Sequence, residues 1–413
     1  MPEQLTFPKD FLWGTAGAAH QVEGNNINSD SWVLEHVPGS PFVEPSGDAC
    51  DHYHRYPDDI ALIASLGFNT YRFSIEWARI EPEQGEFSIA ALEHYRRMLA
   101  ACHEHGLTPI VTYHHFTSPR WFAAKGGWEV MANAELFARY CEKATAHLGD
   151  LIAAACTLNE PNVGILIQQM GFMPSDAKLL NAPFRAAAAK AVGSDTFAAF
   201  PHCQQQPARD TFLKAHRLAF DAIKASRGDF PVGMTLAMSD HQAVPGGEAV
   251  RDKARHEIDD VFLDVARADD FIGVQTYTRT RYGAEGILPS EAGVELTQMR
   301  YEFYPEALEA TIRYAASYTG LPVIVTENGI GTEDDTRRIE YVRRALRGVH
   351  QCLQDGIEVR GYCYWSIFDN FEWAQGYRPK FGLIAVDRTM QIRTPKPSAK
   401  WLGSIAQENA LAE

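Results

Sequence analysis

Apolar residues recur along this chain in two alternating rhythms. Short runs dense in Val, Ile, Leu, Phe, Tyr and Trp are followed by longer stretches in which apolar side chains return every three or four residues. Eight runs of the first kind are present: Phe11 to Ala18, Thr70 to Ile75, Thr108 to His114, Ile152 to Leu158, Val232 to Ala237, Phe271 to Tyr277, Val323 to Thr326 and Val359 to Trp365. Each reads as a strand. Between them, Pro57 to Gly67 has acids near its start and a glycine at its end, as a helix requires, and Ile89 to His105 carries Leu92, Tyr95, Met98, Leu99 and Cys102 on one stripe. Strand and helix in alternation predict a parallel sheet with crossover helices. Eight such units in 413 residues favour an α/β closed (β/α)8 TIM barrel over an open doubly wound sheet. No linker or low-complexity tract divides the chain, so residues 1–413 are read as a single catalytic barrel domain. The least regular stretch, 164–208, holds an Ala-rich patch and the loop from Pro201 to Pro207, and it is expected to overhang the barrel mouth.

A barrel makes a definite demand: its chemistry collects at the C-terminal ends of the strands. Glu160 follows the fourth run and Glu327 closes the seventh. A carboxylate at the end of a buried strand is costly unless neighbours stabilise it or its pKa shifts. Two of them suggest a catalytic pair of the kind that breaks a glycosidic bond, whereas each alone could be a structural ion pair. A gap of about 5 to 5.5 Å between such carboxyls means retention and roughly 6.5 to 9.5 Å inversion.

The neighbours sharpen this reading. Arg72 lies in an otherwise strand-forming run and needs a carboxylate, for which Glu327 is favoured and Glu76 is the alternative. Asn159 sits beside Glu160, placed either to bond a sugar hydroxyl or to cap the next helix. Residues 364–377 form the densest aromatic segment, flanked by acid and amide. Such a segment suits the C–H faces and hydroxyls of a pyranose, the alternatives being an interface or core. His114 and His115 are adjacent on a strand and diverge, so they do not chelate together. No metal is expected, and His52 and His54 read as structural.

Composition narrows the classes further. A net charge of −15 argues against a nucleic-acid partner, and no apolar run reaches the length of a membrane span. Residues 1–10 lack the apolar core of a signal peptide, and the seven cysteines include no Cys-x-x-Cys pair. Free thiols in the cytoplasm are therefore expected. Oligomeric state is left open.

Several motifs stand in order along the chain: Phe11-Leu12-Trp13-Gly14-Thr15-Ala16, Gln21-Val22-Glu23-Gly24, Tyr71-Arg72-Phe73-Ser74-Ile75, Asn159-Glu160-Pro161, Thr326-Glu327-Asn328-Gly329, and Trp365-Ser366 through Glu372-Trp373-Ala374. With these the chain resembles glycoside hydrolase family 1, the β-glucosidase and β-galactosidase family. The resemblance implies a retaining enzyme acting on small β-glycosides without cofactor, with Glu160 as acid/base and Glu327 as nucleophile. It further implies a sugar pocket of Gln21, His115, Asn159, Trp365, Glu372 and Trp373, with Arg72 and Tyr277 contacting the nucleophile. Glu160 sets it apart from thioglucosidases, and Glu372 from phosphoglycosidases. Terminal β-D-glucosyl residues are the expected substrate, with galactosyl or fucosyl residues open; transglycosylation and a silent sugar-binding barrel are the competing functions. Gln275-Thr276-Tyr277, His115-Phe116-Thr117, Lys380 and Met173-Pro174 depart from the family's usual Asn-Tyr-Tyr, His-Trp-Asp, Arg and Ala-Pro-Gly, which puts leaving-group preference in question.

Overall fold

A computed structural model describes residues 4–200 and 202–412. Its main sheet contains eight parallel strands: β1 (Leu12–Gly17), β2 (Thr70–Ser74), β3 (Thr108–His114), β4 (Ala154–Asn159), β5 (Val232–Ala243), β6 (Phe271–Gly283), β7 (Val323–Asn328) and β8 (Val359–Trp365). They pair in the order β5-β4-β3-β2-β1-β8-β7-β6, and β6 returns to β5 to close a barrel. Helices including His52–Ser65, Ile89–Glu104, Ala134–Leu148, Gln205–Ala225, Ala307–Thr319, Asp335–Gln354 and Pro397–Glu408 surround it. This is the (β/α)8 architecture that the alternating rhythm predicts.

Strand periodicity sorts the side chains into two layers. Ile110, Cys156, Ile324 and Cys363 belong to a small cluster inside the barrel. Their strand neighbours Val111, Ala155, Val323, Val325, Tyr362 and Tyr364 pack in the larger core under the helices. Arg72 falls on the inward side of β2 between Tyr71 and Phe73, which join that outer layer.

At the strand ends this alternation is interrupted. Four residues of β4, Cys156 to Asn159, span only the three from Gly233 to Thr235 on β5, and Val325 to Glu327 span only Val274 to Gln275. Such bulges re-aim side chains. With Ile324 inward, unbroken alternation would send Glu327 outward; the shifted register turns it into the barrel.

Three stretches differ from the sequence expectation. β5 and β6 run to Ala243 and Gly283 rather than ending at Ala237 and Tyr277, because Asp240 to Ala243 pair with Arg279 to Tyr282 above the barrel. Their polar side chains hide that extension from a hydrophobic count. The 164–208 region is more ordered than expected, since it contains helices Val163–Gln169, Asp176–Leu180 and Pro183–Ala191. Pro201 of the expected loop lies outside the described residues. The first long helix begins at His52 and carries Pro57 within it. All seven cysteines are buried and unpaired. Among the described residues no helix is long and apolar enough to cross a membrane.

The C-terminal hairpin, Ile384–Asp387 with Ile392–Pro395, is tied to the His52–Ser65 helix through a buried ionic cluster. Asp59 accepts from His52 Nδ1 at 2.8 Å and from Arg393 Nε at 2.7 Å. Burial pushes the Asp59 carboxyl up, but these two partners outweigh it and hold the group below its ordinary value. His54, by contrast, is exposed and pairs with Asp51. Asp59→Ala is expected to cost about 3 to 5 kcal/mol, because it leaves Arg393 buried without its partner. Equilibrium denaturation should show a lower midpoint at an unchanged slope. The depressed pKa adds a sign: this stabilisation is present above the unfolded carboxyl's pKa and is lost as pH falls through the folded one.

Candidate active site

The strand ends surround a cavity of about 540 Å³ whose walls include His115, Glu160, Gln275, Tyr277, Glu327, Trp365, Glu372 and Trp373. The two sequence-selected glutamates thus face one chamber. Four lining residues other than glycine, Phe116, Glu160, Arg300 and Trp373, hold positive φ angles of 68°, 45°, 65° and 49°. For side chains of this size such angles cost of order 1 to 3 kcal/mol each and persist where the surroundings over-determine them. At Glu160 the backbone N–H donates to Thr235 O at 2.9 Å while its carbonyl accepts from Val163 N at 3.0 Å. The turn is therefore fixed from both sides.

Glu327 is held from three directions. Arg72 Nη1 donates to its Oε1 at 2.6 Å, and Tyr277 Oη donates to its Oε2 at 2.7 Å. Gln275 also hydrogen-bonds the carboxylate. Glu76 takes other donors, Thr117 Oγ1 and the Ala78 N–H, so Arg72 pairs with Glu327 and not with Glu76. Gly329, two residues on, admits no side chain, for a Cβ there would lie 2.0 Å from the Trp365 carbonyl oxygen. The ends of β7 and β8 consequently close together.

Asn159 is bonded within the barrel and caps no helix. Its Oδ1 accepts from Arg72 Nη2 at 2.5 Å, Gln275 Nε2 at 2.9 Å and Thr235 Oγ1 at 3.2 Å. Its amide faces His115 Nε2 at 3.2 Å. Burial, with the charge of Arg72, drives the His115 pKa well down, so the ring is neutral. Since Nε2 accepts from the amide, Nδ1 carries the proton, and that atom has no partner among the described residues. Gln21 donates to Phe371 O at 2.7 Å and approaches Glu372 at 3.4 Å, leaving its own Oε1 unpartnered. Gln21, Arg72 and Asn159 thus each contact a residue of the cavity wall, Glu372, Glu327 and His115 respectively.

The aromatic segment folds over this polar floor. Trp365 stacks on His115 at 5.4 Å and 18°, and Trp373 lies on His20 at 5.6 Å and 5°. His114 points the opposite way, bonding Ser118 and packing on Trp128, so the adjacent pair diverges as expected.

The carboxyls differ in their electrostatics. Burial raises Glu160 well above the ordinary range, the charge of Glu327 adds to this, and only the more distant Arg72 opposes. Glu327 is also pushed up by burial, but Arg72, Tyr277 and Gln275 all pull it back. The first of the two protons therefore leaves Glu327. Glu372 is pushed up to about 8 by burial and by the Glu327 charge, so near neutral pH it donates as well as accepts.

Some lining residues were not singled out from sequence. Phe116 lies one residue past His115, and Tyr301 and Gln298 come from the long segment after β6; His20, which does not itself line the cavity, stacks on Trp373. None falls in a strand-like run. Of these, only Phe116 had a signal, as a departure from the family's His-Trp-Asp.

The sequence model of Glycosyl hydrolase family 1 matches residues 3–264 and 268–411. Thermostable beta-glucosidase B of Thermobispora bispora is 33% identical over an alignment covering 98% of this chain and 92% of that protein. The solved structure of the β-glycosidase BGL167 is 58% identical, with a TM-score of 0.94 and coverage of 98% of both chains. That of a beta-glucosidase called 1317 is 49% identical, with a TM-score of 0.91 over 96% of this chain and 98% of that one. The chain belongs to glycosyl hydrolase family 1 and is a glycoside hydrolase of the retaining β-glycosidase type.

Proposed function

We propose that residues 1–413 act as one catalytic unit that removes terminal β-D-glucosyl residues from small glycosides, with Glu327 as nucleophile and Glu160 as acid/base. The observation that carries the assignment is the unequal solvation of the two carboxyls. Glu327 has Arg72 and Tyr277 bonded to it and is ready to attack as an anion; Glu160 has no such donors and retains a proton for the leaving oxygen. Attack forms a glycosyl ester on Glu327 and neutralises its charge. One of the forces raising the Glu160 pKa then disappears, and Glu160 becomes a base for the incoming water.

Binding roles follow from unpartnered polar atoms. The Gln21 Oε1 acceptor and the His115 Nδ1 donor are buried without partners among the described residues, so hydroxyls of the sugar in the subsite they border would satisfy both. Glu372 would take further hydroxyls, and Trp365 and Trp373 would cover the C–H faces. Asn159 acts mainly by holding Arg72, Gln275 and His115 in register. The seven unpaired thiols suit a reducing cytoplasm.

Glu327→Ala is expected to abolish turnover of an aryl β-glucoside, and added azide should restore cleavage with the α-glycosyl azide as product. Full activity in that variant would remove the nucleophile assignment. Glu160→Ala should slow substrates with poor leaving groups by about 10² to 10⁴-fold while sparing activated aryl glycosides in the first step. Equal losses on both classes would count against it as the acid. The wild-type pH profile should be bell-shaped. Activity falls on the acid side as Glu327 is protonated, and on the alkaline side as Glu160 loses its proton at a pKa above the ordinary carboxyl range. An alkaline limb that survives in Glu160→Gln would assign that limb to another group.

A further inference from the structure

The cavity has a wall that the sugar-binding reading leaves unused. Helix Val163–Gln169 begins just beyond Glu160, and Val163, Leu166, Ile167 and Met170 all line the chamber. Their spacing, i, i+3, i+4 and i+7, defines one helical stripe. Val163 and Leu166 touch the main core on one side, yet the stripe as a whole also borders the open chamber, where no side chain among the described residues covers it. The polar residues of the segment are directed elsewhere: Gln168 donates to Pro174 O and Asp176 Oδ1, and Gln169 donates to Glu257 Oε2.

The wall is fixed in place. Gly164 lies so close to the Gln205–Ala225 helix that a Cβ would stand 2.0 Å from Gln205 Oε1. Past the helix the apolar surface continues through Phe172, which is 58% exposed, and Met173. His202 lies between the rings of Phe42 and Phe184 at 5.8 Å from each; burial brings its pKa down to about 4, so it adds no charge to this wall, although its Nδ1 has no partner among the described residues.

Position assigns the occupant. Glu160 leads directly into this helix after β4, whereas Glu372, Trp373 and Arg378 follow β8, four strands away and therefore across the barrel. The leaving group protonated by Glu160 consequently rests on the Leu166–Met170 side. A second sugar there would need hydrogen-bond partners for its hydroxyls and a flat ring for its face. Leu166, Ile167 and Met170 offer neither; the rings further along, Phe172 and Phe184, supply flat surface but no hydrogen-bonding group, so the wall as a whole fits apolar surface. A chamber of 540 Å³ also exceeds what one hexose fills.

We propose that the natural aglycone is an apolar alcohol longer or broader than a sugar ring, alkyl or polycyclic aliphatic, and that Leu166, Ile167 and Met170 determine this specificity. The inference rests on the reading of Glu160 as the group that faces the leaving oxygen.

The test compares kcat/KM for methyl, butyl and octyl β-D-glucosides, below their micellar concentrations, and for cellobiose. Roughly a threefold rise per methylene is expected while the chain lies on the wall, carried mainly by KM, with octyl glucoside well ahead of cellobiose. Met170→Gln and Leu166→Gln, each checked for folding by thermal denaturation, should flatten the alkyl series. Cellobiose equal to or better than octyl glucoside would overturn the proposal, as would an unchanged series in the folded variants. Dissociation constants for octyl and methyl 1-thio-β-D-glucosides read the same wall without turnover. A ratio near one overturns the aglycone assignment even where hydrolysis is normal. A large ratio without hydrolysis of any glucoside supports the wall and removes the catalytic reading instead.

Discussion

The pairing of Arg72 with Glu327, at 2.6 Å and almost without solvent contact, is the constraint on which the site depends. A lone carboxylate in that position would take up a proton and cease to be a nucleophile; a lone guanidinium would be still more costly to bury. Each charge permits the other. The pair also anchors much of the polar floor, because Arg72 bonds Asn159, and Asn159 in turn bonds Gln275, Thr235 and His115. Residues of five successive or facing strands are thereby locked to one charge. Glu160, which lies outside this network, feels the charge of Glu327 without receiving its donors. One ion pair thus separates the behaviour of two chemically identical side chains.

That pair requires an interrupted sheet. A strand with unbroken alternation offers every second residue to the barrel interior, and at β7 this would send Glu327 toward the helices. The register shifts at Val325 to Glu327 and Cys156 to Asn159 place consecutive polar residues where only alternate ones would otherwise fall. Positive φ angles at Phe116, Glu160 and Trp373 complete the redirection just beyond the strands. At these three positions the barrel's packing is sufficient to hold the strained backbone.

This explains what was legible in the sequence. The eight strands announced themselves because their outward residues, such as Val323, Val325, Tyr362 and Tyr364, must be apolar to meet the helices. Arg72, Glu160 and Glu327 stood out as charges adjoining those runs, and the family's motifs supplied their roles. The extensions of β5 and β6 were not legible, since Asp240 to Ala243 and Arg279 to Tyr282 pair through backbone groups while their side chains read as loop. His20 and Tyr301 were hidden for a related reason. Tyr301 comes from the long segment after β6 and His20 from the four-residue helix Ala19–Val22 just past β1, pieces whose path is set by tertiary packing and which are too short or irregular to leave a period in the chain.

The same distinction separates the two halves of the cavity. The floor that faces a sugar is made at strand ends, where ladder hydrogen bonds fix each side chain against its neighbour, and its polar groups are mutually bonded with a few left available. The wall beside Glu160 belongs to an inserted helix outside the barrel's layers and is held by its packing on residues His256–Asp260 and on β5, with Gly164 set closely against Gln205. Residues on such an insertion can change without disturbing the ion pair, so affinity for the leaving group is free to vary while the chemistry at the strand ends stays constrained. The stripe Val163, Leu166, Ile167 and Met170 is what this particular insertion presents, and its apolar character is a property of this chain rather than a requirement of the barrel.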